Sequence, residues 1–386
     1  MKIQLLEESP RQIREFETAS EWDSHADVSS QLTAEHVSHI AEIFKTPLTG
    51  SYNWDYRAAD NRIKKLYELG KELNWNASLD VNWDQTPNWN ETPDLSDQRK
   101  EELLSEHPWN GYAPWDGMST ERKLAFMSHD QSWALSQFLH GEQGALLVAS
   151  QLVSCAPSYN AKLYAASQTF DEARHVEVFN RYLQTKIGRT YPINNGLKSL
   201  LDKILTDPRW DLKFIGMQII IEGLALAAFN TAKNDTEDPV LREILYLVIR
   251  DEARHVTFGV NYLEEYVSSL TQEEKDERAE FAYEACIISR DRLIATDVFR
   301  HFGWDVTETR QALVERGLND DFLNFLYQRI IPNLKRIGLL TEKVRPKFEE
   351  MGVLDFENLG TDGDIDWREL ERPLDYQIAE TSSITG

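Results

Sequence analysis

The stretch DEARHV at residues 171–176 occurs a second time, unchanged, at residues 251–256. A further glutamate stands 30 positions before the glutamate of each copy, Glu142 in the first case and Glu222 in the second. The chain therefore carries one pattern twice, a glutamate followed after 30 residues by Glu-x-x-His. Together the two copies supply four carboxylates and two imidazoles, the ligand set that binds two metal ions inside a helix bundle.

The spacing within each copy is that of a helical hairpin. Because an α-helix rises about 1.5 Å per residue, Glu142 lies about 22 Å before the break expected at Pro157, and Glu172 lies about 21 Å after it. Antiparallel helices bring these glutamates to one level, and the second copy has the same geometry around a polar turn. Glutamate and histidine three residues apart share a helix face. The two hairpins therefore predict six metal ligands at mid-bundle, namely Glu142, Glu172, His175, Glu222, Glu252 and His255.

The charged neighbours of these ligands are also repeated. Asp171 and Asp251 precede the motif glutamates by one residue, and metal-bound histidines usually donate their second N–H to an acceptor. We expect each aspartate to bond the histidine of the opposite copy, with Arg174 and Arg254 completing the outer layer. Ion pairs on a helix surface, or a metal-free buried ionic network, are the alternatives. A metal-free network explains less well why Glu-x-x-His is duplicated at matched spacing.

The pattern predicts an all-α protein, a ferritin-like four-helix bundle with additional flanking helices and long irregular N- and C-terminal segments. We divide the chain into a helical, tryptophan-rich wrapping segment at 1–118, the bundle at 119–300, and accessory helices with a tail at 301–386, all in one compact domain. Helices are expected over Thr33–Phe44, Asp55–Leu73, Ser119–Cys155, Tyr159–Lys186, Arg209–Thr231, Val240–Leu270 and Thr271–Arg300.

Composition excludes several classes of partner. The chain has 65 acidic and 41 basic residues, a net charge of -24, which argues against binding nucleic acid or an anionic membrane surface. The longest apolar stretch, Ile215–Phe229, is too short to span a bilayer and contains Glu222. Two cysteines suggest no disulfide framework and no iron–sulfur cluster. We expect a cytoplasmic protein without a membrane segment, and the oligomeric state stays open, with a homodimer among the options.

At the doubled DEARH motif and its two preceding glutamates, the chain resembles the di-iron carboxylate group of the ferritin-like superfamily. That group includes hydroxylase subunits of bacterial multicomponent monooxygenases, the radical-bearing subunit of class I ribonucleotide reductase, and di-iron N-oxygenases acting on arylamines. The resemblance covers residues 120–300. It implies iron ligands at the six positions named above, O₂ as co-substrate and reduction by a separate electron donor.

Three positions differ from particular members of that group. The radical tyrosine of the reductase subunit lies one turn after the first motif histidine, where this chain has Phe179. The first ligand of that subunit is an aspartate, where this chain has Glu142, so a reductase role is not expected. The arylamine N-oxygenases carry an extra histidine ligand one turn before the second Glu-x-x-His, where this chain has Val248. A close match to that subgroup is not expected, although N-oxygenation itself remains open.

The two halves also differ in size beside the ligands. Phe179, one turn after the first histidine, corresponds to Gly259 in the second half, and Ala149 corresponds to Phe229. Because a glycine opposite a phenylalanine leaves space, we predict an apolar substrate pocket there. Ordinary helix packing is the alternative. The residues predicted to bound the pocket are Ala145, Ala149, Phe179, Phe229 and Gly259.

The predicted function is that of an O₂-activating non-haem di-iron oxygenase. It would be a monooxygenase that hydroxylates or N-oxygenates a small organic substrate, with electrons from a separate reductase or ferredoxin. A ferroxidase, a peroxide scavenger or a Mn/Fe ligand-binding oxidase is the alternative, and a metal-supported partner subunit without turnover is a third. Two iron ions are the expected cofactor, and a Mn/Fe pair also suits carboxylates with two histidines.

Overall fold

The computed structural model describes residue 3 and residues 12–16, 41–57, 61–85 and 97–364. Within these residues the regular structure is helical, apart from an antiparallel pair in which β1 (Arg14–Glu15) meets β2 (Arg189–Thr190). Before the bundle lie the helices α1 (Asn61–Glu72), α2 (Asp97–Ser105) and α3 (Ala113–Asp116).

The bundle consists of four long helices, α4, α5, α7 and α8, so the predicted ferritin-like architecture is confirmed. The helices of this region are α4 (Thr120–Cys155), α5 (Tyr159–Tyr182), α6 (Asn195–Thr206), α7 (Trp210–Asp235), α8 (Pro239–Ser268) and α9 (Gln272–Asp291). Shorter helices follow, namely α10 (Thr296–His301), α11 (Val306–Glu315), α12 (Asp320–Arg336) and α13 (Arg345–Glu350). Two π-helical segments interrupt the regular geometry: Leu183–Ile187 continues α5, and Ile215–Ile221 lies within α7.

The two hairpins of the bundle have arms of equal length. In each of the four helices, the predicted ligand glutamate lies 13 residues from the end that meets the hairpin turn. Side-chain caps define where the return helices begin. Ser158 accepts a hydrogen bond from the third residue of α5, and Asp238 accepts bonds from the second and third residues of α8. Four arms of one length place all four glutamates at one height in the bundle. The helix ends concerned are Cys155, Tyr159, Asp235 and Pro239.

Helix α7 lies at the centre of the packing. Helices α9 and α12 cover it from outside, while α1 packs against α5 and α8, the two helices that carry Glu-x-x-His. By length and composition α7 could cross a membrane, but 89% of its most apolar window is buried inside this protein. Its apolar character is therefore accounted for by its position in the core.

Some predicted bounds differ from the structure. The helix predicted to reach Arg300 ends at Asp291, because a turn at 292–295 separates it from α10. The third bundle helix runs four residues further than predicted, to Asp235. The helix predicted over Thr33–Phe44 lies outside the described residues as far as residue 40, and residues 41–44 are irregular. The predicted tail beyond residue 364 also lies outside the described part of the chain.

Helices α7 and α8 approach closely at Gly259. A methyl group on Gly259 would lie 2.3 Å from Cβ of Gln218, an atom that cannot move away by rotation of its side chain. We therefore expect Gly259→Ala to lower the free energy of unfolding by about 1–3 kcal/mol through overpacking. The midpoint of urea unfolding measures the change.

Gly141→Ala is the matched control, because nothing lies within 4 Å of a Cβ at that helical position. Helix propensity alone then predicts a gain in stability of about 0.5–1 kcal/mol. Equal unfolding midpoints for the two variants would contradict the close contact between α7 and α8.

Candidate metal centre

Six side chains meet at the middle of the bundle, one from each of α4 and α7 and two from each of α5 and α8. They form two overlapping groups, and within each group the ligand atoms lie within 4.8 Å of one another. Glu172 and Glu252 belong to both groups, which places them to bridge two ions. All six side chains are buried. The first group contains Glu142, Glu172, His175 and Glu252, and the second contains Glu172, Glu222, Glu252 and His255.

The atoms that face this centre fit a pair of metal ions. Both carboxylate oxygens of Glu252 and Nδ1 of His255 are buried without a hydrogen-bond partner among the described residues. Nδ1 of His175 lies 3.0 Å from Glu252 Oε1, and Nδ1 of His255 lies 3.1 Å from Glu172 Oε1. Unpaired lone pairs in a dry interior are costly unless a cation accepts them. Four carboxylates would balance the charge of two divalent ions.

Each histidine is held by the aspartate of the opposite hairpin. Nε2 of His175 lies 3.2 Å from Asp251 Oδ2, and Nε2 of His255 lies 3.2 Å from Asp171 Oδ2. These contacts leave Nδ1 of both rings facing the centre. The arrangement is the one predicted from the sequence, and it determines which ring nitrogen can bind metal.

Two arginines complete this outer layer. Arg254 donates to Asp251 at 2.7 Å and to Asp171 at 3.1 Å. Arg174 donates to Asp251 at 3.2 Å and also to Asp171. Two carboxylates and two guanidinium groups are neutral together, so the layer adds no net charge to the interior. Removing one partner would leave an unpaired buried charge, which is strongly destabilising.

Trp75 belongs to the same layer, although sequence analysis assigned it no role. Its indole Nε1 donates to Asp251 Oδ2 at 2.7 Å, the oxygen that faces His175. Its carbonyl accepts a hydrogen bond of 2.9 Å from Arg174, whose guanidinium lies 4.6 Å from the indole centroid. The tryptophan-rich composition indicated a wrapping loop, but not which ring enters the bundle.

Two glutamines were also missed as functional residues. The amide of Gln168 donates to Glu172 and Glu222, both at 3.1 Å, and Gln218 donates to Gln168 at 2.9 Å. Gln168 thereby orients one bridging and one terminal carboxylate. The sequence showed it only as a difference between the halves, because its counterpart is Val248.

A cavity of about 490 Å³ reaches the centre between α4 and α7. Its lining includes Glu142 and Glu222, but none of its described residues comes from α5 or α8. The other side of the centre is closed by the histidine, aspartate and arginine layer and by Trp75. The centre is therefore accessible from the side of its two terminal glutamates.

The pocket predicted from the sequence is only partly correct. Ala145 and Phe229 line the cavity, whereas Ala149, Phe179 and Gly259 do not. Ala149 lies beyond Glu142 toward the turn end of α4, while the cavity follows residues 130–145 of that helix. The ring of Phe179 packs behind Phe229, with centroids 5.6 Å apart. The space expected beside Gly259 is filled by Gln218, as the close approach of α7 and α8 requires.

Burial and mutual repulsion control protonation at this centre. Burial, and then the charge of Glu252, raises the pKa of Glu142 and of Glu222 well above the usual range. Burial would lower the pKa of His175 and His255, but the surrounding carboxylates outweigh it and raise both pKa values well above normal. Without metal these four groups therefore hold protons that a metal ion must displace.

The fold and the centre together define a dimetal carboxylate protein of the ferritin-like superfamily. A model of the family described as p-aminobenzoate N-oxygenase AurF matches residues 57–333, more than two thirds of the chain. This chain belongs to that family, whose members are di-iron oxygenases, and it is an oxidoreductase.

Two solved structures illustrate the wider similarity. A single-residue variant of an R2-like ligand-binding oxidase with an anaerobically reconstituted Mn/Fe cofactor is 18% identical, with a TM-score of 0.49. The same type of oxidase with an aerobically reconstituted metal cofactor after photoconversion is also 18% identical, with a TM-score of 0.47. Each alignment covers 73% of this chain and 94% of the other. Among curated proteins, none matches this chain.

Family membership shows that the expectation drawn from Val248 was wrong. The absence of a histidine one turn before the second Glu-x-x-His does not separate the chain from this family. Val248 is buried in an apolar cluster that also contains Phe179 and Phe229. The polar residue at the equivalent place in the other half is Gln168.

Replacing Trp75 tests the outer layer. Trp75→Phe removes the hydrogen bond to Asp251 but keeps an aromatic ring beside Arg174. Mutation of a residue that hydrogen-bonds a metal ligand or its partner typically lowers metal affinity by about 10–100-fold, so we expect a loss of that size. Competition with a metal-binding chelator measures it.

Trp83→Phe is the matched control in the same loop, because Nε1 of Trp83 donates at 2.7 Å to the carbonyl of Ala77 and not to the centre. It should leave metal affinity unchanged. An equal loss in both variants would mean that the loop acts through its folding alone.

Metal binding should release protons. The raised pKa values of Glu142, Glu222, His175 and His255 mean that these groups are largely protonated in the metal-free protein, so affinity must increase as pH rises. Titration calorimetry with Mn²⁺ in buffers of different ionisation enthalpy counts the protons. Metal affinity that is the same at acidic and at neutral pH would contradict this assignment.

Proposed function

We propose that this protein is an O₂-dependent N-oxygenase that oxidises the amino group of a small aromatic amine. The observation that carries the proposal is the cavity that ends on Glu142 and Glu222, the terminal carboxylates of the centre. The family match supports the choice of N-oxygenation over hydroxylation, since the family is described by a reaction at an arylamine nitrogen.

The cavity has the size and character of a small-molecule site. Its volume of about 490 Å³ lies within the range usual for ligand pockets, about 300–1,000 Å³. Its walls next to the glutamates are apolar or small, with Phe138, Ala225 and Phe229 among them. Such walls suit an aromatic ring and exclude water from the reacting nitrogen. A ferroxidase would need no cavity of this kind.

The residues of the chain have separate tasks in this proposal. The six ligands would hold two metal ions, and those ions would activate O₂ for oxidation of the substrate. The aspartates and arginines fix the histidine rings, and Gln168 holds Glu172 and Glu222 in place. The apolar walls orient the amine toward the carboxylates of α4 and α7.

Electrons would come from a separate donor protein. A net charge of -24 supports docking of a basic reductase or ferredoxin, because opposite charges accelerate association. We place the enzyme in the cytoplasm, where reducing partners are available.

The activity is tested with the full chain loaded with Fe²⁺ and supplied with a chemical reductant, 4-aminobenzoate and ¹⁸O₂. We expect hydroxylamine, nitroso or nitro products that carry ¹⁸O on nitrogen, detected by mass spectrometry. Glu172→Gln should abolish product, because it removes one bridging carboxylate. Glu177→Gln, an exposed position on the same helix, should retain it.

Two results would contradict the proposal. Oxidation of iron without any ¹⁸O-labelled organic product from a panel of aromatic amines would favour a ferroxidase. Label on ring carbon in place of nitrogen would make the protein a hydroxylase.

A further inference from the structure

We propose that Arg292 is the residue that selects substrates with an anionic group and orients them in the cavity. Arg292 is the first residue after α9, and it lines the same cavity as Glu142 and Glu222. The orientation of the amine in this inference rests on the proposed function. The binding of an anion to Arg292 does not.

The guanidinium of Arg292 is unpaired within the part of the chain that the structure describes. Among the described residues, no side chain or carbonyl forms an ion pair or hydrogen bond with it, and its Nε is buried and unsatisfied. Burial alone lowers the pKa of Arg292 to about 10, since no neighbouring carboxylate offsets the loss of water. Arg292 as a whole is half-buried. The two fully buried arginines beside the metal centre, Arg174 and Arg254, each contact two aspartates. An unpaired cation in a largely apolar cavity is stabilised by an anion that enters it.

The remaining charges of the cavity leave this role to Arg292. It is the only lysine or arginine among the described lining residues. His107 also lines the cavity, but burial, and then the charge of Lys123, lowers the pKa of His107 to about 4, so it is neutral at pH 7. Asp130 and Asp235 also line the cavity, and both residues are exposed. The carboxyl group of Asp130 is less hydrated than that of a free side chain, since burial raises the pKa of Asp130 to about 6. Neither aspartate forms an ion pair with Arg292.

The position of Arg292 is set by close packing. A Cβ on Gly196, in the first turn of α6, would lie 2.9 Å from Cβ of Arg292, so the glycine allows this approach. The segment carrying Arg292 therefore lies directly against α6 and cannot shift toward it. The packing fixes the point from which the Arg292 side chain enters the cavity, and an arginine can bind a carboxylate through two parallel hydrogen bonds.

An aromatic amine that carries a carboxylate on its ring would suit both Arg292 and the metal centre, which line the same cavity. The carboxylate would accept hydrogen bonds from Arg292, and the ring would lie between the apolar walls of α4 and α7. The amino group would then point to Glu142 and Glu222. Neutral amines of the same shape would enter but would lack the anchor.

Binding of two matched probes tests this directly. Titration calorimetry on the purified full chain compares 4-nitrobenzoate, which is anionic, with 4-nitrobenzamide, which is neutral and nearly isosteric. We expect the unaltered chain to prefer the benzoate, and Arg292→Gln to weaken benzoate binding by about 10–100-fold while changing benzamide binding less than about threefold. Arg292→Lys should retain part of the preference. Arg310→Gln, which removes an exposed charge outside the cavity, should change neither affinity.

The outcomes separate this inference from the proposed function. No preference for the benzoate in the unaltered chain, or an equal loss for both probes in Arg292→Gln and Arg292→Lys, would overturn the role of Arg292. An Arg292-dependent preference together with no N-oxygenated product would leave the anion site standing and refute the proposed activity. If Arg292→Gln still preferred the benzoate as strongly as the unaltered chain and N-oxygenated product formed normally, the role of Arg292 would be refuted and the proposed activity would stand.

Discussion

Four carboxylates buried together in the protein interior are the constraint on which this protein depends. Glu142, Glu172, Glu222 and Glu252 are all buried, and each would repel the others if all were charged without cations. Two divalent ions remove that repulsion, while the aspartates and arginines behind the histidines cancel one another. The equal hairpin arms, the caps that define them and the enclosed position of α7 all serve to keep these groups buried at one height in the bundle.

The centre has two unlike sides because the halves differ around a common plan. On the side of α5 and α8, Trp75 and the aspartate–arginine layer form a buried hydrogen-bonded network behind the histidines. On the side of α4 and α7, the cavity ends on carboxylates whose other neighbours include Gln168 and apolar walls. The side of α5 and α8 therefore holds the histidines rigidly, and the side of α4 and α7 admits the substrate.

Sequence spacing was sufficient to predict the bundle and the six side chains that meet at its middle. Matched 30-residue intervals with a break midway permit few other arrangements of four glutamates. It was also sufficient for the crossed contacts between aspartates and histidines. It failed beside Gly259, because the comparison of the halves assumed regular α-helices. The π-helical segment Ile215–Ile221 changes which side chains of α7 face α8, and Gln218 fills the expected space. Trp75 and Arg292 lie far in sequence from the motifs, so no local sequence pattern indicates their roles. Trp75, for example, is 176 positions from Asp251, to which it donates a hydrogen bond.

The crossed bonds between the hairpins have a consequence for how such a protein can be divided. His175 is oriented by Asp251, and His255 by Asp171, so neither hairpin contains the partner of its own histidine. Glu172 and Glu252 each belong to both groups of candidate ligands, so one hairpin alone would lack part of each group as well as the aspartate that orients its histidine. The smallest self-sufficient unit is thus a pair of hairpins that exchange these contacts reciprocally. A symmetric dimer of one such hairpin is the simplest assembly with the same centre, and the single chain is its covalently joined equivalent, free to alter each half separately.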